Sequence, residues 1–401
     1  MFRCRCFQTI LTTALAIGAL FAGEEKKTSE WTGTILPAEH RTITDPKTGH
    51  PIRFLTTNAA VDRAFYFTHN AFLPDGSMIV VSSNRFGRSE YLGYLTATGE
   101  LARFLPANAV PAGLAVVSKH ANILYVVRDR EVCEWRILID SEATHSVKIR
   151  ERIIGAVPPG WSLKEALTES ADGSLLSLSA KLAEGKSGIA AMDIQTGAVR
   201  TVLETDLSTS HVQFSHNRPD LLMFAGTAGA DHESQRMWLV DFSGRGAWKL
   251  HEQKPGELVT HECWWVGDLV TFCGGFAHEG FKVESHLKIV DINTQQVRIL
   301  GAGCYWPQGT DSEVAELNWW HASGDPYGRW VAADNWHGGV AIFNARTTEK
   351  HLLTTGHRTY GRGTHPEVGW DTKGRYVIFG SEYFGNPDVC IAEIPKEWNN
   401  P

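Results

Sequence analysis

The sequence predicts an all-β fold, a seven-bladed β-propeller, and three observations lead to this expectation. Short apolar strands separated by Gly-containing turns recur along the 401 residues. They group into seven units spaced by roughly 45 to 60 residues, the repeat length of propeller blades. No long segment has a convincing helical period. The alternative is a two-domain all-β protein.

Each unit starts with a turn, continues into an apolar strand and adds a second strand. The unit that begins at Pro74, for example, runs through Met78-Ile79-Val80-Val81 to Tyr94-Leu95 and the turn at Gly99. The seven units begin at Pro74, Asn122, Ala171, Arg218, Gly267, Tyr327 and Thr372.

The two ends of the chain complete the ring. The last unit stops after its third strand, near Ile394. Pro51 to Thr56 follows the turn Asp45-Pro46-Lys47-Thr48-Gly49 and has the character of a fourth strand. Pairing of this N-terminal strand with the last blade removes two free sheet edges. We therefore expect the ring to be closed in this way.

The N-terminus predicts export from the cytoplasm. Arg3 and Arg5 precede an apolar run from Ile10 to Ala22, as in a secretory signal peptide. The domain prediction is a signal peptide over 1–23, a linker over 24–44 and a propeller over 45–401. The expected location is the periplasm or the exterior, without membrane contact after cleavage. A retained signal anchor is the alternative.

The composition of the chain limits the classes of molecule that it is expected to bind. With 43% hydrophobic and 21% charged residues, the chain can bury a large core. A net charge of −7 without a Lys/Arg stripe argues against a nucleic-acid partner. The 14 Trp suit either sugar-stacking surfaces or blade cores. Cys263 and Cys273 could pair across one hairpin, although buried free thiols are the simpler expectation. No sequence feature sets an oligomeric state.

Histidines stand near the first strand of several units. A single histidine of this kind is usually structural, but histidines at equivalent positions in several blades indicate a shared site at one mouth of the channel. We expect His69 and His211 to bind substrate there. The set consists of His69, His211, His261, His321 and His365.

Three residues near the C-terminus predict a metal site. His365 and Glu367 are two residues apart, so a strand places both on one face. With His321 from the neighbouring blade they supply three N/O ligands for a divalent ion. The alternatives for Glu367 are an ion pair with Arg362 and a turn carboxylate.

Arg236 and His261 come from adjacent units and predict chemistry on an acid. A guanidinium binds a carboxylate with two hydrogen bonds, and a neutral imidazole serves as a general base. Glu262 alternates to the other strand face and is expected to be structural. The sequence has no G-x-S-x-G motif, phosphate loop or glycosidase-type carboxylate pair. A hydrolase is therefore the weaker alternative.

At these residues the chain resembles the oligogalacturonate lyase family, seven-bladed propeller enzymes of pectin breakdown. Four segments carry the resemblance, and the second and third are the most specific. They are Asp45-Pro46-Lys47-Thr48-Gly49 with Leu55-Thr56, Arg236-Met237-Trp238-Leu239, Thr260-His261-Glu262 and Thr364-His365-Pro366.

The resemblance implies β-elimination on α-1,4-linked galacturonate. In the family a metal ion, typically manganese, engages the uronate carboxylate while an Arg assists and a His removes the proton at carbon 5. Carried over, His261 is the base and Arg236 the carboxylate partner. His321 and His365 are then metal ligands.

Two positions depart from the family pattern. Arg362 stands where the family has Gln, and Glu367 stands where it has a further His. Glu367 can still coordinate an ion. Arg362 cannot, so we expect it to bind substrate and to replace part of the charge of the metal. The predicted export favours another uronate polymer, such as ulvan, as an alternative substrate, and it draws attention to Tyr66.

The first hypothesis is therefore an exported lyase for uronate-containing oligosaccharides. Its alternative is a non-catalytic propeller of the Tol-associated type that binds a protein or a glycan. The two differ in one structural respect: only the lyase needs Arg236, His261, His321 and His365 in a single cavity.

Overall fold

The computed structural model describes residues 28–140, 146–227, 234–278, 282–305, 318–358 and 365–399. These residues form seven antiparallel sheets, so the predicted all-β propeller with seven blades is confirmed. Within the same ranges the helical elements are two short 3₁₀ turns, Ala183–Gly185 and Lys396–Asn399. No helix in the described part of the chain has the length and apolar character needed to cross a membrane. The predicted signal peptide lies outside the described residues.

Blades one to three follow one another from residue 62 onward, and the strands of each blade run in order from the channel outward. Blade one has β5 (Asp62–Arg63), β6 (Met78–Ser83), β7 (Glu90–Leu95), β8 (Leu101–Arg103) and β2 (Thr34–Leu36). Blade two has β9 (Ala115–Val117), β10 (Ile123–Arg128), β11 (Glu131–Asp140), β12 (Ser146–Ala156) and β1 (Thr28–Thr32). Blade three has β13 (Ser162–Leu163), β14 (Leu175–Lys181), β15 (Ser187–Asp193) and β16 (Val199–Thr205).

Blades four and five contribute His211, Arg236, His261 and Glu262. Blade four has β17 (Ser210–Phe214), β18 (Leu221–Ala225), β19 (Met237–Asp241) and β20 (Trp248–Lys249). Blade five has β21 (Glu257–Trp264), β22 (Leu269–His278), β24 (His286–Asp291) and β25 (Val297–Gly301). The far end of β22 also pairs with β23 (Lys282–Glu284), which in turn pairs with β26 (Cys304–Tyr305).

Blades six and seven complete the ring, and blade seven includes two strands from the N-terminal part of the chain. Blade six has β27 (Ala322–Gly324), β28 (Trp330–Asp334), β29 (Val340–Asn344) and β30 (Lys350–Thr354). Blade seven has β31 (Gly369–Trp370), β32 (Tyr376–Ser381), β33 (Asp388–Glu393), β4 (Pro51–Phe54) and β3 (Arg41–Thr44).

The N-terminal strands run along the outside of three blades. β4 pairs with β33, with Phe54 opposite Cys390, so the predicted closure of the ring is confirmed. The segment predicted as a linker over 24–44 contains three strands in the structure. β1 belongs to blade two, β2 to blade one and β3 to blade seven. These strands are mostly exposed, and their polar residues gave no hydrophobic alternation to read.

The hydrophobic core lies between neighbouring blades. Innermost strands of consecutive blades contact one another, as β17 does with β21 and β21 with β27. Side chains from facing sheets fill the space, for example Trp264 of blade five against Met237 and Leu239 of blade four. The described cysteines are free thiols, so Cys263 and Cys273 do not form a disulfide. This packing fixes the entry end of each innermost strand.

Two buried carboxyl groups meet where blade seven joins blade one. Asp62 and Asp388 are fully buried, and the Arg85 guanidinium donates to Asp62 at 2.8 Å. Among the described residues, neither Asp62 Oδ1 nor Asp388 Oδ2 has a hydrogen-bond partner. Burial and the charge of Asp62 raise the pKa of Asp388 to about 7. Asp388 therefore holds a proton in mildly acidic solution.

This raised pKa predicts a pH-dependent stability. A group whose pKa is higher in the folded state stabilises the fold most at low pH, and that contribution is lost as pH rises from 3.8 to about 7. Asp388→Asn is neutral at every pH. We expect this substitution to raise the free energy of unfolding at pH 8 by ~1 kcal/mol or more. At pH 5 we expect the free energy of unfolding to be nearly the same as in the wild type. Thermal unfolding across this range tests the prediction, and parallel curves for the two proteins would contradict it.

Candidate functional site

Four of the predicted histidines meet at one mouth of the channel. His211 lies in β17 and His261 in β21, whereas His321 and His365 precede β27 and β31. The ring centroid of His321 is 4.3 Å from that of His261 and 5.2 Å from that of His365. His211 and His261 have centroids 6.2 Å apart. The predicted gathering of imidazoles from four blades is therefore present.

Irregular backbone at the strand entries turns these residues inward. His211, His261 and Glu367 all have positive φ, at 53°, 53° and 52°, a conformation uncommon outside glycine. β17 and β21 each contain a bulge at this point. Glu165 stabilises the first bulge, since both of its carboxylate oxygens accept backbone N–H bonds, from His211 at 2.6 Å and Val212 at 2.7 Å. Such strain is concentrated at functional sites in proteins.

Glu262 is the buried centre of a charged network. Arg236 Nε donates to Glu262 Oε2 at 2.7 Å, and His211 Nδ1 bonds to Oε1 at 2.9 Å. Burial alone would raise its pKa, but Arg236 and His211 hold the pKa of Glu262 well below its ordinary value. The expectation that Glu262 faces away from the site was wrong, because the bulge in β21 interrupts the alternation of side chains.

Arg236 is present in the site, with its guanidinium oriented by Glu262. The residue is 3% exposed and precedes β19. Its Nη2 donates to Glu262 Oε1 at 3.2 Å, in addition to the bond from Nε. The guanidinium is thus held in one orientation beside His211 rather than standing alone in the cleft.

His261 is a neutral imidazole at the centre of the cluster. Thr260 Oγ1 is 3.1 Å from its Nδ1. Burial and the positive charges of its neighbours, led by His321 and His211, hold the pKa of His261 well below its ordinary value. An unprotonated imidazole can accept a proton without first losing one.

His321 has the opposite electrostatic environment. Its Nδ1 bonds to Asp334 Oδ2 at 2.8 Å, and its backbone N–H donates to Oδ1 at the same distance. Burial would lower its pKa, but the Asp334 carboxylate raises the pKa of His321 above the ordinary value. The same carboxylate accepts the backbone N–H of Glu367 at 3.0 Å. Asp334 at the end of β28 therefore organises two blades.

The predicted metal ligands do not form a complete cage. Among the residues that the structure describes, no group of three or more His, Cys, Asp or Glu side chains is placed to hold a metal ion. His321 and His365 are adjacent, and His365 and Glu367 line one pocket of about 260 Å³ together with Asp62 and Arg63. Two imidazoles alone fall short of the three protein ligands typical of catalytic metal sites.

Aromatic side chains complete the mouth of the channel. Trp320 packs edge-on against His261, with centroids 4.8 Å apart, and Trp336 contacts both Trp320 and His365. The Tyr66 hydroxyl lies 3.4 Å from His211 Nε2, and burial raises the pKa of Tyr66 so that it stays protonated. The abundance of Trp was the sequence signal for such a surface, but it did not single out these two.

His69 and Arg362 are not part of this cluster as described. A turn in which the His69 N–H donates to the Tyr66 carbonyl oxygen sends the two side chains to opposite sides of Phe67. His69 Nε2 then bonds to the Leu167 carbonyl oxygen at 3.1 Å. His69 therefore lies apart from the imidazole cluster, and its role in substrate binding stays a prediction. Arg362 lies outside the described residues.

Comparison with known proteins identifies two related sequences, one of them matched over nearly its full length. No protein-family model matches the chain. The sequence is 18% identical over 405 residues to an oligogalacturonide lyase of Pectobacterium atrosepticum, covering 92% of this chain and 99% of that protein. It is 21% identical over 228 residues to an oligogalacturonate lyase of Dickeya dadantii, covering 51% and 54% of the two chains. The resemblance to the oligogalacturonate lyase family is confirmed.

Two solved structures share the architecture of these lyases. An oligogalacturonate lyase in complex with manganese superimposes with a TM-score of 0.75 at 18% identity, over 92% of this chain and 99% of that one. An oligogalacturonate lyase of Vibrio parahaemolyticus gives 0.74 at 16% identity, over 92% and 100%. At this level of identity the likeness establishes a common seven-bladed fold.

Proposed function

We propose that this protein is a lyase that cleaves uronate-containing oligosaccharides, of the oligogalacturonate type, by β-elimination. The observation that carries the proposal is the juxtaposition of His261 and His321 at a channel mouth lined by Trp320 and Trp336. Similarity to two lyases, one over nearly its full length and one over about half of it, supports the proposal. A propeller that only binds a partner has no need for such a convergent set.

The first chemical step is removal of a proton from carbon 5 of the uronate. His261 is the base, because its neutral ring is held in place by Thr260 and lies at the centre of the cluster. As its nitrogen takes the proton, the bond from carbon 4 to the glycosidic oxygen breaks and a double bond forms between carbons 4 and 5. General base catalysis of this kind contributes about 10²–10⁴-fold.

The remaining groups handle the charge that develops. The proton at carbon 5 becomes acidic only when negative charge on the uronate carboxylate is neutralised. Arg236, oriented by Glu262, is the fixed cation on one side of His261, and His321, with its Nδ1 bonded to Asp334, lies on the other side. The departing oxygen needs a proton, and the Tyr66 hydroxyl lies between His211 and His321. We assign Tyr66 this donor role.

The predicted manganese and the predicted export stay predictions. A divalent ion would use His321 and His365 as its imidazole ligands, and it would add positive charge at the substrate carboxylate. Loss of activity with a chelator and recovery with Mn²⁺ would support it. Secretion of a tagged full-length protein, with removal of residues 1–23, would support the signal peptide.

The test of the function is formation of an unsaturated product. The protein is incubated with oligogalacturonates, glucuronate polymers and ulvan fragments, and the ultraviolet absorbance of the new double bond is followed. We expect a steady rise with at least one of these uronates. Substrate loss without that absorbance would contradict elimination.

Stacking on tryptophan predicts a loss of substrate affinity in one variant. Trp336 is partly exposed at the mouth beside His365. We expect Trp336→Ala to raise KM about fivefold or more with little change in kcat, because an aromatic contact of this kind is worth ~1 kcal/mol. Trp248→Ala, on the outer strand β20, is the matched control and should leave KM unchanged. Equal KM values in both variants would show that Trp336 does not contact the substrate.

A further inference from the structure

The channel contains a second cavity on the other side of Phe67. It has a volume of about 270 Å³ and is lined from blades one, two, four, five, six and seven. Phe67 is 2% exposed, and its ring centroid is 5.1 Å from that of His321. The ring therefore separates the histidine cluster from this cavity, which lies at the exit ends of the same innermost strands.

Lys119 brings a positive charge into the cavity. Among the described residues its ammonium group makes no ion pair and no hydrogen bond, and the side chain is exposed to solvent. Its backbone is fixed, since its N–H donates to Glu169 Oε2 at 2.7 Å. An ammonium group that is exposed to solvent is protonated at pH 7. A cation of this kind recognises an anion.

A second polar group has one available nitrogen. His216 lines the cavity, and its Nδ1 donates to the Trp265 carbonyl oxygen at 2.6 Å, which leaves Nε2 of the neutral ring as an acceptor. At pH 7 and above an exposed imidazole is mostly neutral. A hydroxyl group is the natural donor to such a nitrogen.

The rest of the wall is mainly apolar. The indole N–H groups of Trp265 and Trp370 donate to backbone carbonyl oxygens, both at 2.8 Å, so the rings present carbon atoms to the cavity. Two carboxylates at the rim are already engaged: Asp325 accepts from Arg329 at 2.9 Å, and Asp371 accepts the Tyr376 N–H at 2.8 Å. Neither of them pairs with Lys119, and the carboxylate that acts on its ammonium group is that of Glu169.

We propose that this second cavity binds one small sugar acid, with its carboxylate on Lys119, a hydroxyl on His216 and its ring against the indole wall. A few converging polar groups on an apolar wall are typical of small-molecule sites, and the cavity volume is slightly below the range of such pockets, which begins at about 300 Å³. It therefore suits a single ring rather than an oligomer. The choice of a sugar acid over another small carboxylate rests on the proposed function.

Calorimetric titration with D-galacturonate tests this site. The full chain with His261→Ala serves as the background, so that turnover is removed. We expect saturable binding, weakened about tenfold or more by adding Lys119→Met and largely restored by Lys119→Arg. Galactose, which lacks the carboxylate, should bind about tenfold more weakly or worse. Thermal unfolding verifies that each variant is folded.

The outcomes separate this site from the lyase function. Binding that depends on Lys119 in a protein that forms no unsaturated product would support the cavity and contradict the proposed lyase. Product formation without any Lys119-dependent binding would support the proposed lyase and contradict the binding site in the cavity. Equal affinity for galacturonate and acetate would reduce the site to a general anion site and overturn the assignment of a sugar acid.

Discussion

His261→Ala is expected to lower kcat on the best uronate substrate by about 10²–10⁴-fold, the usual contribution of a positioned general base. The imidazole is central to the cluster, with His211 on one side and His321 on the other. Its pKa is held well below the ordinary value, so the wild-type base should remain active in mildly acidic solution. Steady-state rates across pH are the measurement.

Two features distinguish loss of the base from loss of structure. KM should change much less than kcat, because the variant removes a group that acts on the transition state. Added imidazole should restore part of the rate in a pH-dependent way. His120→Ala is the matched control, since His120 is an exposed histidine of blade two away from this mouth. A His261→Ala protein with a rate within about threefold of wild type would remove His261 from the base role.

Glu262→Leu is expected to destabilise the fold by about 3–5 kcal/mol. The change leaves the Arg236 guanidinium, which is 3% exposed, without the carboxylate that binds it through two nitrogens. A buried charge without its counter-ion costs far more than a surface ion pair contributes. Denaturant unfolding with a constant m-value measures the difference.

A surface carboxylate provides the comparison for Glu262. Glu252 pairs with Lys249, and its side chain is 76% exposed. Glu252→Leu should change the free energy of unfolding by less than about 0.5 kcal/mol. Glu262→Gln should fall between the two, because it keeps the shape and loses the charge. A Glu262→Leu protein as stable as Glu252→Leu would show that the network contributes little to the fold.

The blades could be predicted because each has a strong local signal. The apolar strands of blades one to seven and their Gly turns lie where the repeat places them, and β4 closes the ring at Phe54. The strands over 28–44 were not predictable in this way. They add to sheets that already exist, so backbone pairing rather than hydrophobic burial specifies them.

The site was predicted as a set of imidazoles but not as a network. Alternation of side chains puts Glu262 on the wrong face, and only the bulge with positive φ at His261 brings it to Arg236. His69 was misplaced because a turn at Phe67, rather than a regular strand, precedes it. Asp334 comes from the end of a second strand, a position that the pattern of strand entries does not include.

Mass spectrometry of the products from a defined oligogalacturonate is the most direct test of the proposed elimination. In β-elimination the masses of the two fragments add up to the mass of the substrate, and one fragment carries the double bond. Hydrolysis would add one water to that sum. Fragments without added water, lost in His261→Ala, are the predicted result. Fragments that contain an added water, or binding of every uronate without cleavage, would contradict the lyase assignment.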